Sequence, residues 1–274
     1  MVILLCPVRG CRQPLRAADR RLVCARAHAF DVARTGYVNL LQPQDRRSRH
    51  PGDSAEAVRA RARRRAAGTE RELVEAVARL VAAGRGDAVL DVGCGDGAHV
   101  AAVAARTACE GHGLDISVAA IEAAARTHPG LSWVVANADR ALPYADGSFR
   151  AVLSVTARLN AAEFQRVLRE DGQLIVVVPA PDDLIEVRAA VLGEGRERDR
   201  TPHVREACAP FFALERREQL RGRERLDAAA VADVLTASYR GLRRSQRARV
   251  ASLGALDVTL AREALIFRRA ATAG

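Results

Sequence analysis

Three thiols and an imidazole lie near the amino terminus as two close pairs: Cys6-x4-Cys11, then twelve residues, then Cys24-x3-His28. Zinc takes four soft or borderline ligands in a tetrahedron, and tight turns commonly supply them in pairs. Pro7, Gly10 and Pro14 provide turn chemistry around the first pair. A segment of about 40 residues buries too little apolar surface to fold alone, so a metal cross-link meets a physical need. The bland alternative is a set of incidental core residues. With all four positions filled by protein, such a site is expected to be structural rather than catalytic.

A second chemistry is written in Val89-Leu90-Asp91-Val92-Gly93-Cys94-Gly95-Asp96-Gly97, an apolar run entering a glycine-rich turn. Glycines there let the backbone approach a ligand closely. Gly93, Gly95 and Ala98 also fit the looser dinucleotide pattern. Asp115, closing Gly113-Leu114-Asp115, is placed to accept hydrogen bonds from a ribose diol, a feature shared by nicotinamide and S-adenosylmethionine sites. The acid two residues before the first glycine separates the two readings, because Asp-x-Gly-x-Gly-x-Gly is similar to the form found in Rossmann-like methyltransferases. So is Leu142-Pro143-Tyr144-Ala145-Asp146-Gly147-Ser148-Phe149 running into Ala151-Val152-Leu153. A methyl donor carries no pyrophosphate, so the loop need admit only its methionine end, with Asp91 supporting the amine.

The third signal is charge. All 43 basic residues are arginine, against 33 acids. Residues 1–65 hold 15 Arg and 5 acids, whereas residues 66–274 hold 28 of each. The formal +10 therefore lies in the first quarter of the chain. Arg46, Arg47, Arg49, Arg59 and Arg61 head a run of eight arginines that ends at Arg65. A solvated charged face explains many basic runs, but this asymmetry points to a polyanion, nucleic acid above all.

These groups must be positioned by ordered elements. The length of 274 residues suits one sizeable domain and a smaller module, at roughly 100–200 residues per domain. Three segments are expected: a metal module over 1–41, an Arg-rich connector with a helix over 42–69, and an α/β domain over 70–274. Asp53-Ser54-Ala55-Glu56 reads as a helix cap. Strands are expected at Ala88–Val92, Gly111–Asp115, Leu131–Ala136, Ala151–Val155 and Gln173–Val178. Helices are expected at Glu70–Ala83, Ala98–Thr107, Val118–Thr127 and Ala161–Arg169. Strand and helix in alternation imply a mainly parallel sheet covered on both faces. Later strands are expected near Ala209–Glu215 or Leu242–Val250, and at Glu263–Arg268. No apolar run approaches the ~18–20 residues of a bilayer span, and the first residues lack the features of a signal peptide. Six cysteines in that setting suggest a reducing cytoplasm. Cys94, Cys109 and Cys208 read as small buried residues, Trp133 as core, and His99, His112, His128 and His203 show no metal spacing.

The sequence resembles the bacterial 23S rRNA guanine-N1 methyltransferases, a family with an amino-terminal zinc module, an S-adenosylmethionine domain and macrolide-resistance members. The resemblance is sharpest in Cys24–Asp31 with Thr35–Leu41, in Ser48-Arg49-His50-Pro51-Gly52-Asp53-Ser54-Ala55-Glu56, and in the glycine loop with Asp115. It implies a Rossmann-like class I fold with a seven-stranded sheet, and zinc on Cys6, Cys11, Cys24 and His28. It assigns donor contacts to Asp91, Gly93, Gly95, Asp115, Asn137 and Ala138, the last two toward the adenine. RNA-backbone contacts fall to the connector arginines, and two copies are expected to form a homodimer.

The chain departs from the family in four places. After Gly-Asp-Ser it reads Arg64-Arg65-Ala66-Ala67-Gly68-Thr69-Glu70, where the family has an aromatic-containing stretch ending in Gly-His-aromatic. Its first cysteine pair is two residues wider than the usual C-x2-C. Thr156-Ala157-Arg158 stands where an aromatic-Ala-Pro loop faces the target base. Glu170-Asp171-Gly172 replaces a Pro-Gly-Gly turn. The resemblance implies methylation of guanine N1 in a 23S rRNA hairpin, with macrolide resistance as one consequence. The altered acceptor loop keeps two alternatives open: a ribosome-assembly factor without turnover, or a methyltransferase with another acceptor. No general base is identified. Arg158 is read either as a stabiliser of charge at guanine O6 or as a surface ion-paired residue.

Overall fold

The computed structural model describes residues 2–45, 51–193, 195, 198–238 and 244–270. A small antiparallel sheet comes first, with β1 (Arg16–Ala18), β2 (Arg21–Val23) and β3 (Ala29–Asp31) in sequential order. Strand β4 (Val38–Asn39) leaves this sheet and joins another. Then follow helix α1 (Ala55–Ala66), α2 (Arg71–Leu80), β5 (Ala88–Val92), α3 (Ala98–Thr107), β6 (Glu110–Asp115), α4 (Val118–Thr127), β7 (Ser132–Val135), β8 (Phe149–Val155), α5 (Ala161–Val167) and β9 (Leu168–Pro179). The remainder comprises α6 (Ile185–Val187), which continues into a wider π-type turn over Arg188–Leu192, α7 (Thr201–Cys208), β10 (Phe212–Leu226), α8 (Ala228–Ser238), α9 (Arg244–Ala251) and β11 (Leu256–Arg269).

The large sheet runs β10-β11-β9-β8-β5-β6-β7-β4. From β9 to β4 all neighbours are parallel, while β11 and β10 are antiparallel additions. Seven strands follow the expected doubly wound plan. The eighth, β4, comes from the amino-terminal segment and pairs with β7 through Val38 and Val134. Helix α9 corrects one expectation: from Arg244, the stretch assigned to a strand at Leu242–Val250 is helical. Arg, Gln and Ala are strong helix formers, and Val250 is buried among the carboxy-terminal elements. The second alternative, near Ala209–Glu215, falls in the start of β10, which then runs on to Leu226. From Glu215 to Arg225 its exposed residues are Arg, Glu and Gln, which mute the apolar alternation that marks a strand.

Both faces of the sheet are covered. On one, Val77 and Val81 of the α2 region pack with Val103, Val89 and Ile175, and Ile121 of α4 packs with Trp133 and Val135. On the other, Phe164, Val204 and Leu90 share a continuous core with Cys6, Cys24 and Val38. The metal module therefore rests on the sheet's own apolar layer. Its first residues also bond to the loop before β8, through Leu5 N–H to Pro143 O (2.9 Å) and Ala145 N–H to Ile3 O (3.1 Å).

Candidate donor site and metal centre

In the module, the Cys6, Cys11 and Cys24 sulfurs and a His28 ring nitrogen all lie within 4.8 Å of one another. His28 Nδ1 is 3.4 Å from both Cys6 Sγ and Cys24 Sγ, and Cys11 Sγ is 3.8 Å from Cys24 Sγ. Two backbone turns create this convergence. Cys11 N–H bonds Val8 O (2.9 Å), and Ala27, at φ 61°, donates to Cys24 O (2.9 Å). Three buried sulfurs and a nitrogen without a disulfide form a soft donor set that fits zinc and leaves no ligand position open.

The second site lies where the strand order reverses, beside β5, with β6 on one side and β8 on the other. Open α/β sheets bind ligands at the carboxyl ends of strands at such a point. A cavity of about 760 Å³ opens there. Gly93, Gly95 and Gly97 hold φ of 74°, 57° and 81°, a region that favours glycine. Gly93 is also required by space, because a Cβ there would meet Ala157 Cβ at 2.5 Å. The glycine loop and the loop after β8 thus touch.

Asp91, the penultimate residue of β5, lies beneath this loop, 1% exposed, and among the described residues neither carboxylate oxygen has a hydrogen-bond partner. The Val100 amide is felt electrostatically without meeting hydrogen-bond geometry. Burial pushes the Asp91 carboxyl up to about 7; Asp115 adds to the rise and Arg65 opposes it. A buried, unpaired carboxylate beside a glycine cradle is costly unless a cationic or donor-rich ligand meets it. Asp115 is also buried, and its carboxyl is raised by desolvation. It accepts from Gly95 N–H (3.0 Å) and Ser117 N–H (2.8 Å), which shape the loop and leave lone pairs for a diol. Asn137 and Ala138 line the same cavity. Asn137 donates to Asp45 O (2.9 Å) and accepts from Asp139 N–H (2.9 Å), so its amide is fixed.

Two of the five arginines singled out for RNA, Arg59 and Arg61, are among the described residues. Arg46, Arg47 and Arg49 are outside the described residues. Arg59 is exposed on α1. Arg61 is not on an outward face: it lines the cavity, forms an ion pair with Asp53 and donates to Ala237 O (3.0 Å). The rest of the run is occupied too. Arg63 pairs with Asp233, Arg64 with Glu70 (3.0 Å) and Arg65 with Asp96 (2.5 Å). Helix α1 is therefore a wall of the cavity, laid on α8 by the Arg63 pair. Exposed positive charge sits instead on the metal module, where Arg9, Arg12, Arg16, Arg20, Arg26 and Arg34 are exposed.

Pro51 to Ser54 fasten α1 in place. A Cβ on Gly52, at φ 81°, would lie 2.8 Å from Ile116 Cγ2 and 2.9 Å from Ser117 Cβ. Ser117 Oγ donates to Asp53 O (2.7 Å), and Ser54 Oγ caps the helix by accepting from Ala57 N–H (3.1 Å). Sequence reasoning missed Gly52, Asp53, Arg61 and Arg65 as cavity residues. The cap at Ser54 was visible, but nothing local says that the helix it starts folds over the glycine loop.

Arg158 is exposed at the cavity rim and has no ion pair among the described residues. Thr156 holds φ 53°, a conformation uncommon for a β-branched residue, where the altered loop begins. Cys94, Cys109 and Cys208 are buried, and Trp133 is 2% exposed in the core.

This glycine cradle at the switch point of a doubly wound sheet defines a Rossmann-like, S-adenosylmethionine-dependent methyltransferase. A family model described as a methyltransferase domain matches residues 89–173, and a zinc-ribbon model described as RlmA, N-terminal, matches residues 4–49. A Streptomyces fradiae protein named 23S rRNA (guanine(748)-N(1))-methyltransferase is 41% identical over 238 residues, covering 85% of this chain and 83% of that one. A Bacillus subtilis (strain 168) protein assigned as a 23S rRNA (guanine-N(1)-)-methyltransferase is 38% identical over 194 residues, covering 67% and 66%. A solved structure from Bacillus halodurans C-125, assigned as a methyltransferase, shares the fold at TM-score 0.52 and 17% identity, over 72% of this chain and 97% of that one. The chain belongs to the family of 23S rRNA guanine-N1 methyltransferases. Its cofactors are S-adenosylmethionine and zinc.

Proposed function

We propose that this protein methylates N1 of a guanine in a 23S rRNA hairpin. The observation that carries the reading is the orphaned Asp91 carboxylate, buried under a glycine loop that touches the acceptor loop at Ala157. S-adenosylmethionine supplies a methyl group on a positively charged sulfur. When bound, it would pass that methyl to guanine N1, with the sulfur–methyl electron pair returning to sulfur as S-adenosylhomocysteine forms and the N1 proton passing to solvent water. Asp91 receives the donor's amine, Gly93 and Gly95 admit its methionine end, Asp115 accepts from the ribose, and Asn137 and Ala138 bound the adenine. The target base must leave its stack to reach this recessed cavity. Orientation of the two reactants then supplies much of the rate.

Cys6, Cys11, Cys24 and His28 hold the zinc that stiffens the module. Its exposed arginines, with Arg59 and the connector's Arg46, Arg47 and Arg49, contact RNA phosphates. Arg61 belongs to the donor wall in this reading. Cytoplasmic residence follows from a ribosomal substrate, and no described helix is long and apolar enough to cross a membrane. A homodimer rests on the family resemblance, and sedimentation of the purified protein tests it.

Radiolabelled methyl transfer to unmodified 23S rRNA, followed by primer extension, tests the activity. N1 methylation blocks the Watson–Crick edge, so a strong stop at one guanine is expected. Donor binding without label in RNA would favour the assembly-factor reading instead. Label elsewhere in the RNA would point to another acceptor. Growth on macrolides with and without the gene tests the resistance consequence. RNA affinity should fall steeply between low and moderate salt, and a flat salt response would exclude the phosphate contacts.

A further inference from the structure

The cavity around the glycine loop is crowded with carboxylates: Asp53, Asp91, Asp96 and Asp115 all line it. They suit the amine, sulfonium and ribose of the donor and repel its α-carboxylate. That anion needs a cation. Arg158 lines the cavity from the acceptor loop after β8 and Arg200 is exposed where α7 begins, whereas the buried and half-buried arginines of the wall have stated partners. Arg64 is 6% exposed and holds Glu70. Arg262 is 8% exposed and holds Asp183. Arg188 is 2% exposed and bonds the carbonyls of Gly195, Asp183 and Pro181. Arg61 is fastened to Asp53 and Ala237 on the Asp115 side, where the ribose is placed.

Of these wall arginines, Arg65 remains. It follows Arg61 by one helical turn, lines the same cavity and is close enough to act on the Asp91 charge. Among the described residues its hydrogen bond is through Nε to Asp96 Oδ2, and its side chain is one-quarter exposed. The guanidinium is a planar fork, so Nε can keep Asp96 while the terminal nitrogens meet a second planar anion. We propose that Arg65, on a helix outside the sheet core, binds the α-carboxylate of S-adenosylmethionine. The inference rests on the donor reading of this cavity. It makes the donor site incomplete without α1, and it gives Pro51–Ser54 the task of holding that helix down.

The test is calorimetry with two ligands, S-adenosylhomocysteine and 5′-methylthioadenosine, which share the adenosine and thioether but differ in the amino-acid end. Arg65→Gln is expected to weaken S-adenosylhomocysteine about tenfold or more and to change methylthioadenosine by less than about twofold. Arg65→Lys, which keeps the charge but not the fork, should give a smaller loss confined to the same ligand. An unchanged Arg65→Gln or an equal loss of both ligands would overturn the proposal and make Arg65 a loop brace. If Arg65→Gln does not fold, the Arg65→Lys ligand contrast decides. Failure of the unaltered protein to bind either ligand would overturn the donor reading itself.

Discussion

Asp91 is the residue on which the donor site turns, and its burial makes a signed prediction. The folded state holds its proton up to about pH 7, well above the usual carboxylate range. Between about pH 4 and 7 the native state therefore binds more protons than the unfolded chain, and stability from this group falls as pH rises. Asp91→Asn should be more stable than the unaltered protein at pH 8, on the order of 3 kcal/mol, with the difference vanishing near pH 4. Thermal melts across that range check this. Donor affinity should move oppositely. A cationic amine prefers ionised Asp91, so S-adenosylhomocysteine should bind more tightly as pH rises through 7, and Asp91→Asn should bind weakly with that dependence lost. A pH-independent affinity in the unaltered protein would remove Asp91 from the amine contact.

Gly93 carries the second prediction at this scale. A methyl there would combine a strained φ with a 2.5 Å approach to Ala157 Cβ. Gly93→Ala should cost about 2–4 kcal/mol, and it should impair methyl transfer beyond its effect on donor binding, because the acceptor loop must move. Separate measurements of donor Kd and turnover resolve the two effects. That Asp91, Gly93, Gly95 and Asp115 line one cavity was legible in the sequence, since a strand, a turn and a strand end within 25 consecutive positions bring them together. Arg61 was not. Its charge was plain, but its partners Asp53 and Ala237 depend on how α1 docks.

Among the elements, α1 departs most from what its composition suggested. Its arginines point to RNA when read along the chain, yet four of the five in the helix end on carboxylates of this same molecule. The helix is short and has an Arg-rich surface, so its position depends on the cap and on those pairs. Ser54→Ala removes an oxygen that accepts from Ala57 N–H and should cost about 1 kcal/mol. Because the helix walls the donor cavity, the same variant should weaken S-adenosylhomocysteine severalfold. A stability loss with unchanged donor affinity would mean that α1 is not needed for binding. Strands β5 and β6 and helices α3 and α4 were legible to within a residue, being apolar runs or good helix formers bounded by Gly, Asp or Ser. Strand β10 was largely hidden, because one face is solvent-exposed and charged, and its length is set by pairing with β11.

For the whole molecule, the consequence lies in the join between module and sheet. Cys6, Cys11 and Cys24 belong to the same core layer as Leu90, Tyr144 and Phe164. Extracting zinc should therefore lower the melting temperature of the entire chain, not of a detached ribbon, since metal binding is folding energy in a module this small. Chelation followed by differential scanning calorimetry checks this; zinc loss with no change in melting would show the module to be thermally independent. RNA affinity should disappear with the metal, because the exposed arginines lose their fixed spacing, while donor binding should be weakened less.

Local order along the chain was enough to specify two kinds of chemistry, a soft four-ligand set and a glycine cradle for a methyl donor, because each arises from neighbours a few bonds or one turn apart. Tertiary packing alone decided where the arginines went. A guanidinium binds whichever carboxylate the fold brings within reach, and the sequence distance from Arg63 to Asp233, or from Arg61 to Ala237, is closed only when α1 lies across α8. It also decided that the metal module lends a strand to the catalytic sheet, since two residues pairing at an edge leave no periodic pattern to read.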